Sequence, residues 1–253
     1  MTAPDFWVVV PFFNEAGWIT ATLEALAAQT DRAFSLLLVD NGSLDAGGAE
    51  IEAFRDRRPE MMIEVIAERE KGTGAASDTG FRYAIAHGAR YIARTDADCL
   101  PRRDWVANIK RAFGEGLEFV IGTIKPRSDD FPLSWGDRIA IPVLIFVASN
   151  WGKIYRRGRP GQFRYAYIMV AGNNLAITAS MYERAGGFPR SRIEDVHEDR
   201  VLGDRVRMLT RHTRKKRNIV VYNSTRRARR YGFINTLLWY WEHRYRPQEI
   251  DVR

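Results

Sequence analysis

The chain has 253 residues, of which 45% are hydrophobic and 28% charged, a composition that fits one sizeable folded core and excludes a disordered chain. Its single cysteine excludes an intrachain disulfide framework and fits a reducing, cytoplasmic compartment. There is no run of about 18 apolar residues, the length that suits a membrane-spanning helix. Residues 1–10 lack a basic leader and predict a first strand rather than a signal peptide.

The net charge of +8 is concentrated near the C-terminus. Residues 205–230 carry eleven Arg or Lys side chains and no acid, so the rest of the chain has a net charge of −3, the difference between +8 and +11. Such a segment suits nucleic acid, anionic lipid headgroups or a phosphorylated substrate. A solvated basic face is the alternative interpretation.

The first half of the chain alternates short apolar runs with amphipathic stretches, a pattern typical of a parallel sheet with crossover helices. Hydrophobic periodicity predicts, in order, strand 6–11, helix 18–29, strand 34–39, helix 47–57, strand 62–67, helix 75–87, strand 91–95, a helix capped by Asp104 and reaching residue 113, and strand 119–124.

The second half is less regular. Residues 125–167 are predicted to be an insertion, with an apolar stretch at 139–151 followed by basic residues at 153–159. The pattern then predicts strand 169–177, helix 179–185, helix 196–209, strand 219–222 and an aromatic-rich helix 231–245. Neither a repeat nor a clean linker divides the sequence, which favours a single domain.

The strongest local signal is Asp96-Ala97-Asp98, directly after the predicted strand 91–95. Two carboxylates at positions i and i+2 project to the same side of an extended chain. Unpaired, they would repel each other, and a hard cation such as Mg²⁺ or Mn²⁺ between them would remove the repulsion. Phosphate oxygens and water typically complete the shell of such a cation. Surface turns also contain Asp-Xaa-Asp often, so the strand-end position is what favours a metal site.

Polar or glycine-rich segments follow the other predicted strands at the same edge of the sheet, where open α/β sheets bind ligands. They are Pro11-Phe12-Phe13-Asn14-Glu15, Asp40-Asn41-Gly42-Ser43-Leu44-Asp45 and Lys71-Gly72-Thr73-Gly74. An Asn-Gly turn with an N-cap explains the second segment except for Asp40 at the strand tip. Glycines in the third would let backbone amides approach a phosphate, with Lys71 adding charge.

In their order along the chain, these motifs resemble those of the inverting glycosyltransferases of family 2, from about residue 6 to residue 230. The resemblance is carried by the four segments above together with Asp78-Thr79-Gly80, Gly172-Asn173-Asn174-Leu175-Ala176, Gly186-Gly187-Phe188 and residues 198–206.

The resemblance implies the α/β GT-A fold: a mostly parallel central sheet flanked by helices, with an insertion before the acceptor-side half. It further implies a single domain over residues 1–253, with a nucleotide-sugar-binding half at 1–124, an acceptor-side half at 125–230 and a C-terminal helix at 231–253.

The resemblance also implies roles for individual residues. Asp199 would be the general base, taking the proton of an acceptor hydroxyl during an in-line attack that inverts the anomeric carbon. Asp98, with Asp96, would bind the metal, and Asp40 would bind the nucleotide base. The residues expected to bind the nucleotide sugar are Pro11, Phe13, Asn14, Glu15, Asp40, Asn41, Lys71, Asp78, Asp96, Ala97, Asp98, Asn174, Glu198 and Arg227. For Glu198 and Asp199 the alternative is ordinary charge complementation of a helix N-terminus.

The sequence departs from the family pattern at several positions. Asp78 stands where the family often has Asn, and Asn41 where it often has a second Asp. The Gln-Xaa-Xaa-Arg-Trp motif of processive polysaccharide synthases is absent. Ser224-Thr225-Arg226-Arg227 occupies a comparable place, and its arginines are suited to a donor diphosphate or an acceptor phosphate.

The donor is expected to be a nucleotide-diphosphate sugar, and the acceptor a sugar or a lipid-linked glycan. Apolar residues at 139–151 and 237–241, close to basic ones, suit peripheral contact with an anionic membrane at its cytoplasmic face. Packing in the core or in a dimer interface is an alternative of at least equal weight.

Three other functions are weighed against this one. A nucleotidyltransferase would carry a Gly-rich, basic loop after the first strand, where this chain has Phe12-Phe13-Asn14-Glu15. A glycosidase would use two carboxylates without a metal. A nucleic-acid-binding module would use the basic segment, but no recognised binding motif is present, so no specific nucleic acid is expected.

Overall fold

The computed structural model describes residues 4–127, 129, 136, 162–190 and 197–226. The predicted apolar segment 139–151, the predicted helix 231–245 and Arg227 lie outside these residues. Within them, the chain forms a large mixed sheet with helices on both faces.

The strands are β1 (Phe6–Phe12), β2 (Ser35–Asp40), β3 (Ile63–Ala67), β4 (Tyr91–Arg94), β5 (Leu100–Pro101), β6 (Phe119–Pro126), β7 (Leu175–Thr178) and β8 (Thr213–Asn223). The helices are α1 (Ile19–Ala27), α2 (Gly47–Arg57), α3 (Thr73–Ala86), α4 (Trp105–Gly114), α5 (Ala179–Arg184) and α6 (Glu198–Leu209), with a 3₁₀ turn at Gly172–Asn174. None of the helices in this part of the chain has the length and apolar character needed to cross a membrane.

The strand order in the sheet is β3-β2-β1-β4-β7-β6-β8-β5. β7 runs antiparallel to both of its neighbours, β4 and β6, and β5 runs antiparallel to β8, whereas the other pairs are parallel. The carboxyl ends of β1, β2, β4, β6 and β8 therefore share one edge with the start of β7. This arrangement brings the 3₁₀ turn before β7 next to the end of β4.

The core lies on both faces of the sheet, and β1 shows why its sequence is apolar throughout. Phe6, Val8 and Val10 pack on the face covered by α1, α2 and α4. Trp7 and Val9 pack on the opposite face, covered by α3, α5 and α6. A strand buried on both sides has no solvent-facing positions, so the usual alternation of polar and apolar residues is absent.

The predicted α/β architecture with a mostly parallel sheet is confirmed, and three local predictions are corrected. β8 begins at Thr213 instead of residue 219, because the Arg and Lys run at 214–217 interrupts the apolar pattern although it pairs in part with β6. β7 begins at Leu175 instead of residue 169, after the 3₁₀ turn. Asp104 does precede α4, but its carboxylate pairs with Arg102 and makes no cap hydrogen bond.

Candidate active site at the carboxyl edge of the sheet

The segments that follow β1 and β2 are hydrogen-bonded to each other. The backbone N–H of Asn14 donates to Ser43 Oγ at 3.0 Å, and the N–H of Leu44 donates to Asn14 Oδ1 at 2.8 Å. Asn14 has a φ of 53°, a left-handed conformation that asparagine tolerates better than most residues. At the tip of β2, the Asp40 carboxylate is partly buried and accepts a bond from the Ser43 N–H at 2.8 Å.

Asn41 is buried and organises the loop that follows β3. Its side-chain amide donates to the carbonyls of Glu68 at 3.0 Å and Glu70 at 2.8 Å, and its Oδ1 accepts from the N–H of Gly72 at 2.8 Å. The side-chain amide is thus bonded to protein backbone, and its predicted contact with the nucleotide sugar stays a prediction. Lys71, carried by this loop, is exposed at the same edge.

Asp78, another predicted donor-binding residue, is bonded to side chains of the protein. Its carboxylate is 2% exposed and accepts bonds from the Tyr182 hydroxyl at 2.8 Å and from Arg82 Nε at 2.8 Å, with Arg190 at 3.5 Å. A Cβ at Gly187 would lie 2.6 Å from its Oδ1, so only glycine fits there. Asp78 thus connects α3 to the segment after α5, and its bonding is accounted for by protein groups.

Asn174 is 1% exposed and lies between β6, β8 and α4. Its Oδ1 accepts from Trp105 Nε1 at 2.9 Å, and its amide donates to the carbonyls of Thr123 at 3.0 Å and Ile219 at 3.2 Å. A Cβ at Gly122 would lie 2.2 Å from the Asn174 amide, so this strand position has to be glycine. These bonds give Asn174 a structural role, and its donor-binding role stays a prediction.

Two arginines surround the Asp98 side of the Asp-Xaa-Asp motif. Arg226 bonds to the buried Glu15 carboxylate and places its Nε 3.2 Å from Asp98 Oδ2, with its guanidinium 5.3 Å from the centre of the Trp18 ring. Arg127 donates to the Asp98 carbonyl at 2.9 Å and lies 5.9 Å from the same ring. Burial raises the pKa of the Glu15 carboxyl well above its usual range, with a further contribution from the charge of Asp98.

Asp96 has its own arginine. Arg94, at the end of β4, places Nη2 3.2 Å from Asp96 Oδ1 and Nη1 3.1 Å from Glu198 Oε1. The sequence predicts unpaired carboxylates that need a cation between them, whereas each aspartate is paired with an arginine in the structure. Among the described residues, no cluster of three or more His, Cys, Asp or Glu side chains is arranged to hold a metal ion. The repulsion between the aspartates is thus already offset by protein groups.

Glu198 and Asp199 open α6, and Asp199 points back to the sheet. Its Oδ2 accepts from the N–H of Gly172 at 2.9 Å, and its Oδ1 accepts from the N–H of Arg200 at 2.6 Å. Burial, with the charge of the neighbouring Glu198, raises the pKa of the Asp199 carboxyl to about 7, although Arg94 acts in the opposite direction. A carboxylate whose pKa lies near neutrality is suited to act as a general base.

The remaining predicted site residues take varied positions. Pro11 is buried within β1, beyond the last residue that pairs with β4, so its missing N–H costs no bond to that strand. The Ala97 side chain is buried, and its carbonyl accepts from the Thr22 hydroxyl at 2.7 Å. Phe13 is partly buried beside Asn14 at the edge. Arg227 lies outside the described residues.

Two site arginines, Arg94 and Arg127, are not predicted from the sequence, and Arg226 is predicted only as part of the Ser224-Thr225-Arg226-Arg227 segment. Arg94 carried a usable signal, since it is the only charged residue in the short strand β4. A charge in a buried strand requires a partner. Arg226 belongs to the Ser-Thr-Arg-Arg segment, whose other arginine was chosen instead. Nothing in the local sequence marks Arg127.

Comparison with known proteins identifies the family and the fold. The sequence model of the family described as Glycosyl transferase family 2 matches residues 7–184, which is most of the chain. The chain belongs to glycosyltransferase family 2. Among solved structures, this family 2 chain is similar to the mannosyltransferase PcManGT from Pyrobaculum calidifontis in complex with GDP-Man and Mn²⁺, with a TM-score of 0.66 and 23% identity over 93% of this chain and 62% of the other. It is also similar to S. aureus TarS 1-349 in complex with UDP, with a TM-score of 0.63 and 15% identity over 87% and 60% of the two chains. The fold is GT-A.

Curated relatives are matched over shorter lengths. The PGL/p-HBAD biosynthesis glycosyltransferase of Mycobacterium tuberculosis is 28% identical over 62% of this chain and 61% of its own. Glycosyltransferase AglE of Haloferax volcanii is 30% identical over 49% of this chain and 40% of its own. The alignments with this family 2 chain thus span less than two thirds of either relative.

Proposed function

We propose that this chain transfers one sugar from a nucleoside-diphosphate donor to an acceptor hydroxyl with inversion at the anomeric carbon. The observation that carries the proposal is the position of Asp199. Its carboxylate has a pKa near neutrality and is hydrogen-bonded at the start of β7, the strand next to the one that leads to Asp96 and Asp98. A base on one side of the edge and diphosphate-binding groups on the other suit an in-line displacement.

The donor is assigned to the side of the edge formed by β1, β2 and β4. Asp40 at the tip of β2 is partly exposed and would accept a bond from the nucleotide base, beside Asn14 and Phe13. Lys71 and the arginines Arg127 and Arg226 would face the diphosphate, because guanidinium groups match phosphate oxygens in a bidentate manner. The solved relatives that hold UDP or GDP-Man support a donor of this class.

The residues fit a divalent cation if Asp98 exchanges partners. The Asp96 carboxylate is 35% exposed, whereas that of Asp98 is 13% exposed and paired with Arg226. We propose that Asp98 and Asp96 hold Mg²⁺ or Mn²⁺ once Arg226 turns from Asp98 to the donor diphosphate, and the Mn²⁺ of PcManGT supports this. When bound, the ion would neutralise charge that develops on the departing nucleoside diphosphate.

The chemistry then follows from two side-chain functions. Asp199 accepts the proton of the acceptor hydroxyl as its oxygen bonds to the anomeric carbon, and the bond from that carbon to the diphosphate breaks on the opposite face. The configuration inverts because there is a single displacement. Arg127 and Arg226 stabilise the negative charge that the departing diphosphate gains.

The proposed acceptor is still a sugar or a lipid-linked glycan. The basic segment, which could contact an anionic membrane, divides into two parts. Arg211, Arg214, Lys215 and Arg217 are exposed around the start of β8, while Arg226 follows its end. β8 pairs along β6, which has eight residues, with a register irregularity between Ile121 and Thr123, so the ends of β8 are about 26 Å apart at roughly 3.3 Å per residue of β6. The exposed basic residues therefore lie at the opposite end of the sheet from the site, and membrane contact through them would leave the site facing away.

The experiment is a two-step assay of the purified chain. A thermal-shift panel of nucleotide sugars with Mn²⁺ or Mg²⁺, including UDP-GlcNAc and GDP-mannose, should give one donor that raises the melting temperature. Incubation with that donor should then release a nucleoside diphosphate, and NMR of the sugar product, or of the hydrolysed sugar, should show the inverted anomer. Formation of a nucleoside triphosphate and a sugar 1-phosphate when pyrophosphate is added would instead indicate a nucleotidyltransferase, and a retained anomer would contradict the single displacement.

A further inference from the structure

Arg94 is a buried charge that contacts both sides of the site. Its side chain is 2% exposed, and its guanidinium places Nε 3.3 Å and Nη2 3.2 Å from Asp96 Oδ1. The remaining nitrogen, Nη1, lies 3.1 Å from Oε1 of Glu198, which is itself 5% exposed. Asp96 precedes Asp98 at the end of β4, and Glu198 precedes Asp199 at the start of α6. One side chain thus joins two segments that are 104 residues apart in sequence.

The surroundings of Arg94 hold it in this position. A Cβ at Gly172 would lie 2.9 Å from the guanidinium carbon, so the backbone passes directly against one side of the group. The Phe188 ring centre lies 5.5 Å from the same carbon. Gly172 also donates its N–H to Asp199 at 2.9 Å. The residue that makes room for Arg94 is therefore also the residue that holds Asp199.

We propose that Arg94 is a positioning residue that fixes the separation between the donor-side Asp96 and the catalytic Asp199, acting through Glu198 and Gly172. This inference rests on the proposed function. In-line transfer requires the base and the anomeric carbon at a set distance, and a misplacement of about 1 Å can reduce a rate about 100-fold. Because its guanidinium binds both Asp96 and Glu198, Arg94 keeps the segments that carry these two carboxylates at a fixed distance from each other.

A purely structural role for this ion pair gives different expectations. A buried salt bridge contributes little net stability, although breaking one leaves an uncompensated charge. If Arg94 only stabilised the fold, its replacement would reduce the number of folded molecules and leave the turnover of each one unchanged. If Arg94 positions Asp199, turnover per folded site falls while donor binding persists. The value of kcat per nucleotide-binding site therefore distinguishes the two roles.

The test uses Arg94→Lys, Glu198→Gln and the double variant. Lysine keeps the charge, but its single ammonium does not match the span of the guanidinium fork. The probe is hydrolysis of the donor identified by thermal shift, with sites counted from the calorimetric stoichiometry of the matching nucleoside diphosphate. We expect each single variant to lower kcat per site about 30- to 100-fold with the diphosphate Kd within about 3-fold of wild type. The kcat per site of the double variant should be little lower than that of Arg94→Lys alone, because both changes break the same ion pair between Arg94 and Glu198.

Arg207→Lys is the matched control. Arg207 is also 2% exposed, lies on the same helix α6, pairs with Asp204 at 3.0 Å and stacks over Phe163 at 3.8 Å. Its replacement should lower the melting temperature without changing kcat per site. If Arg207→Lys lowers kcat per site as strongly as Arg94→Lys does, general loosening of α6 is the cause and the inference is wrong.

The remaining outcomes are also decisive. A kcat per site within about 3-fold of wild type for Arg94→Lys, or losses that multiply in the double variant, overturns the positioning role. If Arg94→Lys does not fold, the kcat per site of Glu198→Gln is judged against the same threshold and decides whether the positioning role holds. Asp199→Asn is run in parallel. If it retains wild-type kcat, the proposed function itself fails, whereas an inactive Asp199→Asn beside an active Arg94→Lys rejects only the inference.

Discussion

Asp199 accepts a hydrogen bond from the backbone N–H of Gly172, with 2.9 Å between N and Oδ2. A backbone donor fixes the carboxylate without competing as an acid, because an amide N–H does not titrate in this range. The second oxygen bonds to the N–H of Arg200. The carboxylate is therefore oriented by two main-chain groups, and an isosteric amide can test what its charge contributes.

Asp199→Asn should leave donor binding intact and remove transfer. The asparagine keeps the size of the side chain but does not accept a proton from the acceptor hydroxyl, so kcat should fall about 10²- to 10⁴-fold. Calorimetry of the nucleoside diphosphate should give an unchanged Kd. Asp204→Asn, a change of a half-exposed carboxylate later on the same helix, is the control and should retain kcat. Near wild-type transfer by Asp199→Asn would mean that another group is the base.

The pH dependence of kcat should report Asp199. Its pKa is raised from the ordinary value of 3.8 to about 7, mainly by burial and also by the charge of Glu198. Below that pH the carboxyl is protonated and does not act as a base, so kcat should fall about 10-fold per pH unit on the acid side and level off above it. Asp199→Asn should lack this limb in its residual activity. A limb near pH 4 would show that the active carboxylate is in a solvated environment.

Removal of divalent metal should abolish activity. Treatment with EDTA should lower donor turnover at least about 100-fold, and excess Mn²⁺ or Mg²⁺ should restore it, because the departing diphosphate loses its counter-charge. Asp98→Asn should reduce metal binding measured by calorimetry, whereas Asp104→Asn, whose side chain pairs with Arg102 beyond the site, should not. Full activity in EDTA would instead assign the counter-charge to Arg127 and Arg226 alone.

Arg226→Met should weaken both folding and donor binding. Arg226 is 11% exposed and contacts Glu15 and Asp98, so its removal leaves two buried carboxylates facing each other. The free energy of unfolding should fall by about 3 kcal/mol, as for other buried pairs with one partner removed. Adding Glu15→Gln should restore part of the stability but not the donor affinity, because the phosphate ligand is still missing. Unchanged donor affinity in Arg226→Met would remove this residue from the proposed diphosphate site.

β4 shows which features of the site can be predicted from the sequence. Apolar periodicity predicts a strand at 91–95, one residue longer than β4, and the alternation of strands and helices predicts that Asp40 and Asp96 share one edge. The partners of those carboxylates were not predictable. Arg94 contacts Glu198 only because β7 inserts antiparallel between β4 and β6 and brings the start of α6 to that edge. Local patterns carry no information on such insertions.

Motif resemblance leaves the role of some polar side chains open for an identifiable reason. Asn41 and Asn174 occupy motif positions that follow or precede strands, which suits contact with a ligand. An asparagine at such a position can hydrogen-bond either to a ligand or to the backbone, since its side-chain amide both donates and accepts. Burial decides between them, and burial depends on neighbours far away in sequence, such as Trp105, 69 residues before Asn174.

Asn174→Ala separates these two interpretations. Its removal leaves the Trp105 indole N–H and the carbonyls of Thr123 and Ile219 without their present partner, so the free energy of unfolding should fall by about 2–3 kcal/mol. The donor Kd should stay within about 2-fold, because the side chain is buried among protein groups. Asn218→Ala is the control: that exposed side chain donates to Asn108 at 3.0 Å, and its loss should cost less than about 1 kcal/mol. Unchanged stability together with lost donor binding in Asn174→Ala would return this residue to the donor site.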